Sequence, residues 1–334
     1  MTVEQGEDFV PGVTAGGGGA GAALASDVHI PNPAEHDLDG VDPTPGVAKP
    51  DPILVADGVT RRFGGLTAVD VDHVEIQRGV ITGLIGPNGA GKTTFFNLLT
   101  GFDSPDEGRW TVDGDDVSGR PPHLLARKGV VRTFQLTKAL SKLSVLDNMK
   151  LGAVGQTGEK LRSSIFSFTW SKQEREVEER ARMLLDRFNM SHMADEYAGT
   201  LSGGQRKLLE MARALMTEPR LVMLDEPMAG VNPALTQSLL GHVKQLRAEG
   251  MSVIFVEHDM DVVRDISDWV VVMAEGKIVA EGPHASIVAN PDVIDAYLGR
   301  HHGEELESRD IRTASDPDAG EGDAIWRADD DEQE

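Results

Sequence analysis

One stretch, Gly86-Pro-Asn-Gly-Ala-Gly-Lys-Thr93, constrains the fold of this chain more than any other. It follows a short apolar run, Ile81–Ile85, and opens a predicted helix, Gly91–Leu99. Glycines let the backbone curl with its N–H groups turned inward, and a helix N-terminus adds the positive end of a dipole. Because these groups form an anion cradle, the pattern G-x-x-x-x-G-K-[ST] between a strand and a helix predicts a nucleoside triphosphate site.

The last two residues of this phosphate loop supply side chains for the same ligand. Lys92 is placed to reach the β- and γ-phosphates, and the Thr93 hydroxyl is suited to bind Mg²⁺. The alternative is a glycine-rich turn that merely starts a helix. Every required position is filled and the strand and helix are in place, which favours the nucleotide site. The loop alone does not indicate which nucleotide is bound or for what task.

A pair of acidic residues, Asp225 and Glu226, ends the apolar run Leu221–Leu224. Ligands of open parallel sheets bind outside the carboxyl ends of the strands, so both carboxylates are expected near the phosphates. Asp225 is predicted to hold Mg²⁺, directly or through water, and Glu226 to accept a proton from an attacking water molecule. A plain acidic turn before Pro227 is the alternative, and the upstream phosphate loop disfavours it.

Two further polar residues follow predicted strands. His258 comes after Val253–Val256, where an imidazole is able to hydrogen-bond a γ-phosphate oxygen and to sense its loss. Gln135 comes after Gly129–Phe134, where an amide is able to contact Mg²⁺ or the attacking water. For each residue alone, an ordinary structural histidine or a surface glutamine remains an open alternative.

A second candidate anion site is Leu201-Ser-Gly-Gly-Gln205, which precedes a predicted helix. Ser202 and the two glycines would present backbone N–H groups at the helix N-terminus. A chain with one phosphate loop and a separate cradle for a γ-phosphate suggests two copies that share nucleotide. A serine cap followed by a Gly-Gly turn is the alternative, and the motif in isolation does not exclude it.

Strand-like and helix-like segments alternate between residues 51 and 300, which predicts an α/β fold with a mostly parallel sheet. The predicted strands are Ile53–Ala56, Ile81–Ile85, Val130–Phe134, Leu221–Leu224, Val253–Val256 and Val270–Met273. Predicted helices such as Leu235–Ala248 follow several of them. Residues from about 136 to 211 are instead rich in helix formers and charges, which predicts a helical subdomain inserted into the domain.

The net charge of −23 is unevenly distributed. Residues 1–50 carry a net charge of −7, residues 301–334 carry −10, and residues 51–300 carry −6. Both ends lack apolar periodicity and are rich in acidic residues, so they are predicted to be disordered tails of a 51–300 domain. The negative balance argues against nucleic acid as a partner and against unassisted adhesion to anionic lipid. The absence of cysteine excludes disulfides and thiolate catalysis.

Taken in order along the chain, these motifs resemble the ATP-binding subunit of ABC transporters over about residues 52–300. The resemblance implies a P-loop NTPase core with a mostly parallel sheet, an antiparallel β portion and the inserted helical subdomain. It also implies that two nucleotide-binding subunits pack head to tail, with each ATP between the phosphate loop of one and the Ser202–Gln205 turn of the other. The helical subdomain would then touch membrane subunits.

The resemblance assigns ATP contacts residue by residue. Phe63 stands where the family stacks an aromatic ring on adenine, although most members have Tyr there. Asn232 stands in the loop that crosses the dimer interface, where the family often has Asp. The residues that the resemblance implies contact ATP are Phe63, Gly86, Pro87, Asn88, Gly89, Ala90, Gly91, Lys92, Thr93, Thr94, Ser202, Gly203, Gly204 and Gln205.

Finer stretches resemble the branched-chain amino acid import ATPases. They are Phe63–Val69, Phe96–Phe102, Arg132–Gln135, Glu257–Met260 and Asn290–Gly299. The resemblance implies a location at the cytoplasmic face of the membrane, two transmembrane permease subunits, an extracytoplasmic binding protein and a second ATPase subunit, either a copy or a paralogue. Urea or amide import, export and a soluble non-transport role are the alternatives. The aromatic segment Ile165–Trp170 is expected either to face the permease or to pack within its own subdomain.

Overall fold

The computed structural model describes residues 38–133, 140–153 and 167–297, with side chains of the last range described from Lys172 onward. The strands are β1 (Pro52–Phe63), β2 (Leu66–Gln77), β3 (Ile81–Ile85), β4 (Glu107–Val112), β5 (Asp115–Asp116), β6 (Val130–Arg132), β7 (Leu221–Asp225), β8 (Ser252–Val256), β9 (Trp269–Ala274) and β10 (Lys277–Gly282). The helices are α1 (Lys92–Leu99), α2 (Pro122–Arg127), α3 (Val145–Lys150), α4 (Ser167–Arg187), α5 (Gly203–Leu215), α6 (Pro233–Ala248), α7 (Met260–Ile266) and α8 (His284–Val288). Residues 291–297 are also helical.

Within these residues the larger sheet has six strands in the order β10-β9-β3-β8-β7-β6. Strands β9, β3, β8, β7 and β6 run parallel, and β10 pairs with β9 in the antiparallel direction. Strands β3, β7 and β8 are buried along their whole length. Parallel strands that are covered on both faces are continuous apolar runs in the sequence. This is why the sequence predicted these strands well.

A smaller antiparallel sheet, in the order β2-β1-β4-β5, covers one face of the larger one. The long strands β1 and β2 form a hairpin that turns at Gly64 and Gly65. Trp110 of β4 is fully buried in the core beneath this sheet. This sheet is the antiparallel β portion that the resemblance implies.

Side chains of the parallel strands alternate between two hydrophobic cores. Ile85 of β3 and Leu224 of β7 face the core on the helical side. Leu84 and Met223 face the core that holds α1 and the antiparallel sheet. Successive side chains of a strand point to opposite faces, so one sheet serves both cores. The predicted α/β fold is therefore confirmed as a layered arrangement with the parallel sheet in the middle.

Helices α3, α4 and α5 lie between β6 and β7 in the chain, where the sequence predicted a helical insertion. Phe188 after α4 and Leu208 of α5 belong to the core on the helical side. Arg180 of α4 donates a hydrogen bond of 2.9 Å to the carbonyl of Leu215, at the end of α5. No described helix is long and apolar enough to cross a membrane. The segment Ile165–Trp170 falls outside the residues whose side chains are described.

The structure differs from the predicted N-terminal boundary at residue 51, because residues 38–50 form a strap that packs on the domain. Leu38, Val41 and Val47 pack against the core that holds α1. The buried Lys49 ammonium lies 2.7 Å from the Glu281 carboxylate and 4.6 Å from the centre of the Trp269 ring. The other Glu281 oxygen accepts the Gly46 N–H at 2.6 Å. The strap lacks apolar periodicity, so the sequence did not predict its packing.

The strap ion pair predicts a stability effect. Lys49→Met keeps the aliphatic volume but leaves the Glu281 carboxylate buried without its cation. The free energy of unfolding of the full chain is expected to fall by about 3–5 kcal/mol, as measured by urea unfolding. The double variant Lys49→Met/Glu281→Gln removes the buried charge as well and is expected to lose less. A loss below about 1 kcal/mol in Lys49→Met would contradict this account.

Candidate functional site

The candidate site lies where three adjacent parallel strands end. Strand β8 lies between β3 and β7, and all three point the same way. The phosphate loop follows β3, Asp225 and Glu226 stand at the end of β7, and His258 follows β8. Neighbouring strands are about 5 Å apart, so the ends of β3 and β7 are about 10 Å apart. The sequence predicts these groups at one edge of the sheet, and in the structure they all follow strands that end at this edge.

The phosphate loop needs glycine at its two ends. Gly86 has φ of 147° and Gly91 has φ of 100°, both unfavourable for other residues. A Cβ atom at Gly86 would lie 2.0 Å from the Met273 carbonyl oxygen, and one at Gly91 would lie 2.3 Å from the Ala68 carbonyl oxygen. The loop is therefore packed directly against the backbone of β9 and β2.

Hydrogen bonds complete the seat of the phosphate loop. The Gly276 N–H, in the turn between β9 and β10, donates to the Ala90 carbonyl at 3.0 Å, and the Asp70 N–H of β2 donates to the Gly276 carbonyl at 2.8 Å. The Lys92 ammonium donates to the carbonyls of Gly86 and Pro87 at 2.7 and 3.0 Å. Helix α1 has no acidic residue in its first turn. Its positive N-terminal end therefore faces an anion site without a competing carboxylate.

Tyr297 contacts the phosphate loop from the C-terminal helical segment. Burial raises the pKa of its phenol, and the nearby Gly86 N–H acts in the opposite direction. The ring packs at the border of the core on the helical side. From the sequence, Tyr297 is part of the Asn290–Gly299 stretch and has no predicted role.

Asp225 is buried and paired with a cation. The Asp225 carboxylate lies 2.5 Å from the Arg132 guanidinium, which also donates to the Asn97 side chain at 2.6 Å. Arg132 ends β6, on the strand next to β7, so the pair forms across the sheet edge. The Arg132 charge offsets part of the cost of burying a carboxylate beside an anion site. Arg132 was another residue without a predicted role.

Glu226 has a left-handed backbone, with φ of 45°. Such a conformation is costly for a residue with a side chain and persists where several contacts fix it. The Glu226 N–H donates to the Val256 carbonyl of β8 at 3.0 Å. The Lys207 ammonium of α5 donates to the carbonyls of Glu226 and Pro227 at 2.9 and 3.0 Å.

The end of β8 carries one buried and one exposed polar side chain. Glu257 is 1% exposed, and its carboxylate accepts the Met228 N–H at 2.9 Å. Burial raises the pKa of Glu257, against the opposing effects of the Met228 N–H and of His258. The His258 side chain is 68% exposed, with its Nδ1 atom 3.8 Å from the Glu257 carboxylate. His258 is therefore free to meet a ligand outside the sheet edge.

The Ser202–Gln205 turn has the geometry of a helix cap. The Ser202 hydroxyl accepts the Gln205 N–H, and the Gln205 side-chain oxygen accepts the Ser202 N–H at 2.8 Å. This capping box satisfies helix-end donors within the chain. A Cβ atom at Gly203 would meet nothing within 4 Å, so this side of the turn is open. The cap that the sequence left as an alternative is present, and it leaves the turn accessible from outside.

Phe63 lies at the tip of the β1–β2 hairpin and is 50% exposed. The Arg61 guanidinium lies 4.8 Å from the centre of its ring. The same hairpin reaches the phosphate loop through Ala68. Gln135 lies outside the described residues. Among the described hydrogen bonds, none joins the Ser202–Gln205 turn to the phosphate loop.

Comparisons with known proteins agree with this geometry. The family described as "ABC transporter" matches residues 69–229, and the family described as "Branched-chain amino acid ATP-binding cassette transporter" matches residues 277–303. Two solved structures, a nucleotide-free ATP-binding cassette from an ABC transporter and the ADP conformation of MJ1267, are each 38% identical with a TM-score of 0.65. They cover 74% of this chain, and the chain covers 98% and 99% of theirs.

Two curated relatives cover the same share of the chain. The probable branched-chain amino acid transport ATP-binding protein LivG of Archaeoglobus fulgidus is 42% identical over 252 residues, which is 75% of this chain and 97% of the relative. The high-affinity branched-chain amino acid transport ATP-binding protein BraF of Pseudomonas aeruginosa is 43% identical over 250 residues, or 74% and 98%. The chain therefore belongs to the family of ATP-binding cassettes of ABC transporters, together with LivG and BraF.

Proposed function

We propose that this ATPase drives import of branched-chain amino acids as the ATP-hydrolysing subunit of an ABC importer at the cytoplasmic face of the membrane. The observation that carries the proposal is the meeting of the phosphate loop with Asp225 and Glu226 at one sheet edge. The substrate class rests on relatives above 40% identity whose names state branched-chain amino acid transport. Partners of the proposed complex are two permease subunits, an extracytoplasmic binding protein and a second ATPase subunit.

Each site residue receives a task in ATP hydrolysis. The loop N–H groups and Lys92 hold the β- and γ-phosphates, and Phe63 stacks on adenine from the exposed tip of the hairpin. Glu226 accepts the proton of the attacking water as the bond between the γ-phosphorus and the bridging oxygen breaks. His258, exposed beside the same edge, hydrogen-bonds the γ-phosphate and loses that partner on cleavage. Gln135 remains assigned to Mg²⁺ or to the attacking water.

Thr93 and Asp225 are proposed to hold Mg²⁺. The described residues contain no group of three or more His, Cys, Asp or Glu side chains that would cage a metal. The Thr93 hydroxyl and the Asp225 carboxylate are oxygen ligands of the kind that Mg²⁺ prefers, together with phosphate oxygens and water. Thr93 is exposed at the start of α1, which follows β3 through the phosphate loop, and Asp225 ends β7 in the same sheet as β3. When bound, the ion neutralises charge that develops on the phosphates.

The open turn at Ser202 supports a nucleotide shared by two subunits. Its N–H groups lie at the N-terminus of a 13-residue helix, α5, and Gly203 leaves room for a ligand. The turn is not bonded to the phosphate loop of its own chain among the described contacts. A γ-phosphate held by the loop of a second subunit is the partner that suits it. ATP thus closes the dimer, and hydrolysis removes the contacts that hold it closed.

A groove beside the sheet edge is proposed to receive the permease. It has a volume of about 290 Å³ and lies between the end of β6, the end of α3 and helix α5. Leu151 lines it and is 57% exposed, and Ala153 and Ala214 add apolar surface, while Arg132, Glu210 and Arg213 line it with charged side chains. Because Arg132 lines the groove and donates a hydrogen bond to Asp225, a helix docked here would contact a side chain that reaches the nucleotide site.

The role of Glu226 predicts a separation of binding from turnover. Glu226→Gln is expected to bind ATP normally, to accumulate as an ATP-bound dimer and to hydrolyse ATP about 10²- to 10⁴-fold more slowly. Steady-state phosphate release and analytical size exclusion with ATP measure these effects. The exposed Glu174 of α4 supplies the matched control, Glu174→Gln, which keeps normal turnover. Turnover at the wild-type rate in Glu226→Gln would refute the assigned role.

The groove predicts a variant that uncouples assembly from ATP hydrolysis. Leu151→Asp places a charge on the groove wall and is expected to reduce co-purification with co-expressed permeases at least about tenfold. ATP hydrolysis by the isolated subunit should stay normal, since Leu151 lies outside the nucleotide site. Met183→Asp is the control, because Met183 is equally exposed on α4 and does not line the groove. Equal permease recovery from both variants would rule out docking in this groove.

A further inference from the structure

We propose that Lys207 is a positioning residue that ties the catalytic carboxylate Glu226 to the Ser202–Gln205 turn, so that engagement of one ATP site is transmitted to the other. This inference rests on the proposed function, in which the turn and Glu226 of one chain serve two different ATP molecules. Within the described residues, Lys207 lies on the helix that begins at the turn, and its ammonium binds the backbone of Glu226.

Lys207 belongs to the first turns of α5. The helix begins at Gly203, directly after the Ser202 cap. Helices rise about 1.5 Å per residue, so the Lys207 backbone lies about 7 Å from the cap along a rigid axis. Leu208 and Leu209, the next residues, are buried in the core on the helical side and fix the orientation of the helix about its axis. A displacement of the Ser202–Gln205 turn therefore also moves the Lys207 side chain.

The Lys207 ammonium holds the backbone of the catalytic residue. It donates to the Glu226 carbonyl at 2.9 Å and to the Pro227 carbonyl at 3.0 Å. Hydrogen bonds from a charged donor are stronger than those between neutral groups. The two acceptors belong to the two successive peptide bonds that follow the left-handed Glu226. Removal of this cation would relax the backbone that aims the Glu226 carboxylate.

The rest of the loop is fixed from the other side. The Glu226 N–H is bound to Val256 of β8, and Glu257 binds the Met228 N–H. These contacts come from the parallel sheet, which also carries the phosphate loop. The Lys207 contacts come from the helical insertion. Glu226 thus lies at the junction between the part of the domain that binds ATP and the part that would contact the second subunit's ATP.

Lys207 is a partly buried cation with three glutamates nearby. Burial lowers the pKa of Lys207, while Glu257, Glu210 and Glu226 act in the opposite direction. The side chain lines a cavity of about 20 Å³, enough for one water molecule, together with Asp225 and Pro227. A half-buried ammonium costs desolvation energy, and its partners here are the backbone carbonyls beside the general base.

The test compares three variants of the full chain assembled with its permeases. Lys207→Met is expected to lower kcat about 10- to 100-fold with KM for ATP changed less than about threefold, because the phosphate loop is untouched. Lys207→Arg retains a charged donor and should recover most of the rate. Lys244→Met, on the exposed face of α6, controls for loss of a positive charge. Unfolding midpoints show whether a variant is folded.

A double-variant cycle tests the transmission itself. If Lys207 relays the state of the turn, Ser202→Ala should lower kcat much less in the Lys207→Met background than in the wild type. Strictly additive losses would overturn the relay. The proposal also fails if Lys207→Met retains a kcat within about twofold of Lys244→Met, or if its kcat falls only together with ATP affinity.

The controls keep this inference separate from the proposed function. Normal turnover in Glu226→Gln would remove the function and the inference together. Slow turnover in Glu226→Gln with normal turnover in Lys207→Met would remove only the inference.

Discussion

The phosphate loop is seated against two backbone carbonyls, and the rest of the site depends on this close approach. Met273 of β9 and Ala68 of β2 occupy the space that a Cβ atom would need at Gly86 and Gly91. The loop is thereby fixed to both sheets at once, and its N–H groups keep one orientation. A preorganised anion site pays little reorganisation energy when the nucleotide arrives. The two sheets and α1 together fix the conformation of this loop.

An anion site in a protein with excess negative charge needs nearby cations. Arg132, Lys92 and Lys207 provide them here. Arg132 neutralises Asp225 at 2.5 Å, Lys92 stands over the loop, and Lys207 binds the backbone beside Glu226. Each cation comes from a different layer of the fold. Arg132 extends from the sheet, Lys92 from α1 and Lys207 from the helical insertion. The positions of the positive charges at the site therefore depend on how the sheet, α1 and the helical insertion lie relative to one another.

The sequence could predict what depends on local pattern. Buried parallel strands such as β3 and β8 are continuous apolar runs, and the loop motif fixes the order strand, turn, helix. It could not predict the strap, because Lys49 and Val47 are packed by residues far along the chain. Lys207 and Glu257 were also missed, since a lysine after a glycine turn and a glutamate after a strand are ordinary until the fold brings both to the backbone around Glu226. Gln135 and the acidic ends remain predictions.

The strap ion pair has a consequence for the order of folding. Lys49 and Glu281 are separated by 232 positions in the chain. Closing a loop of this length in an unordered chain costs entropy, and that cost falls once the intervening chain is already folded. During synthesis Lys49 leaves the ribosome long before Glu281 exists. The buried pair therefore joins the strap to a strand near the other end of the domain, and it forms at least entropic cost when the sheets between its partners are already assembled.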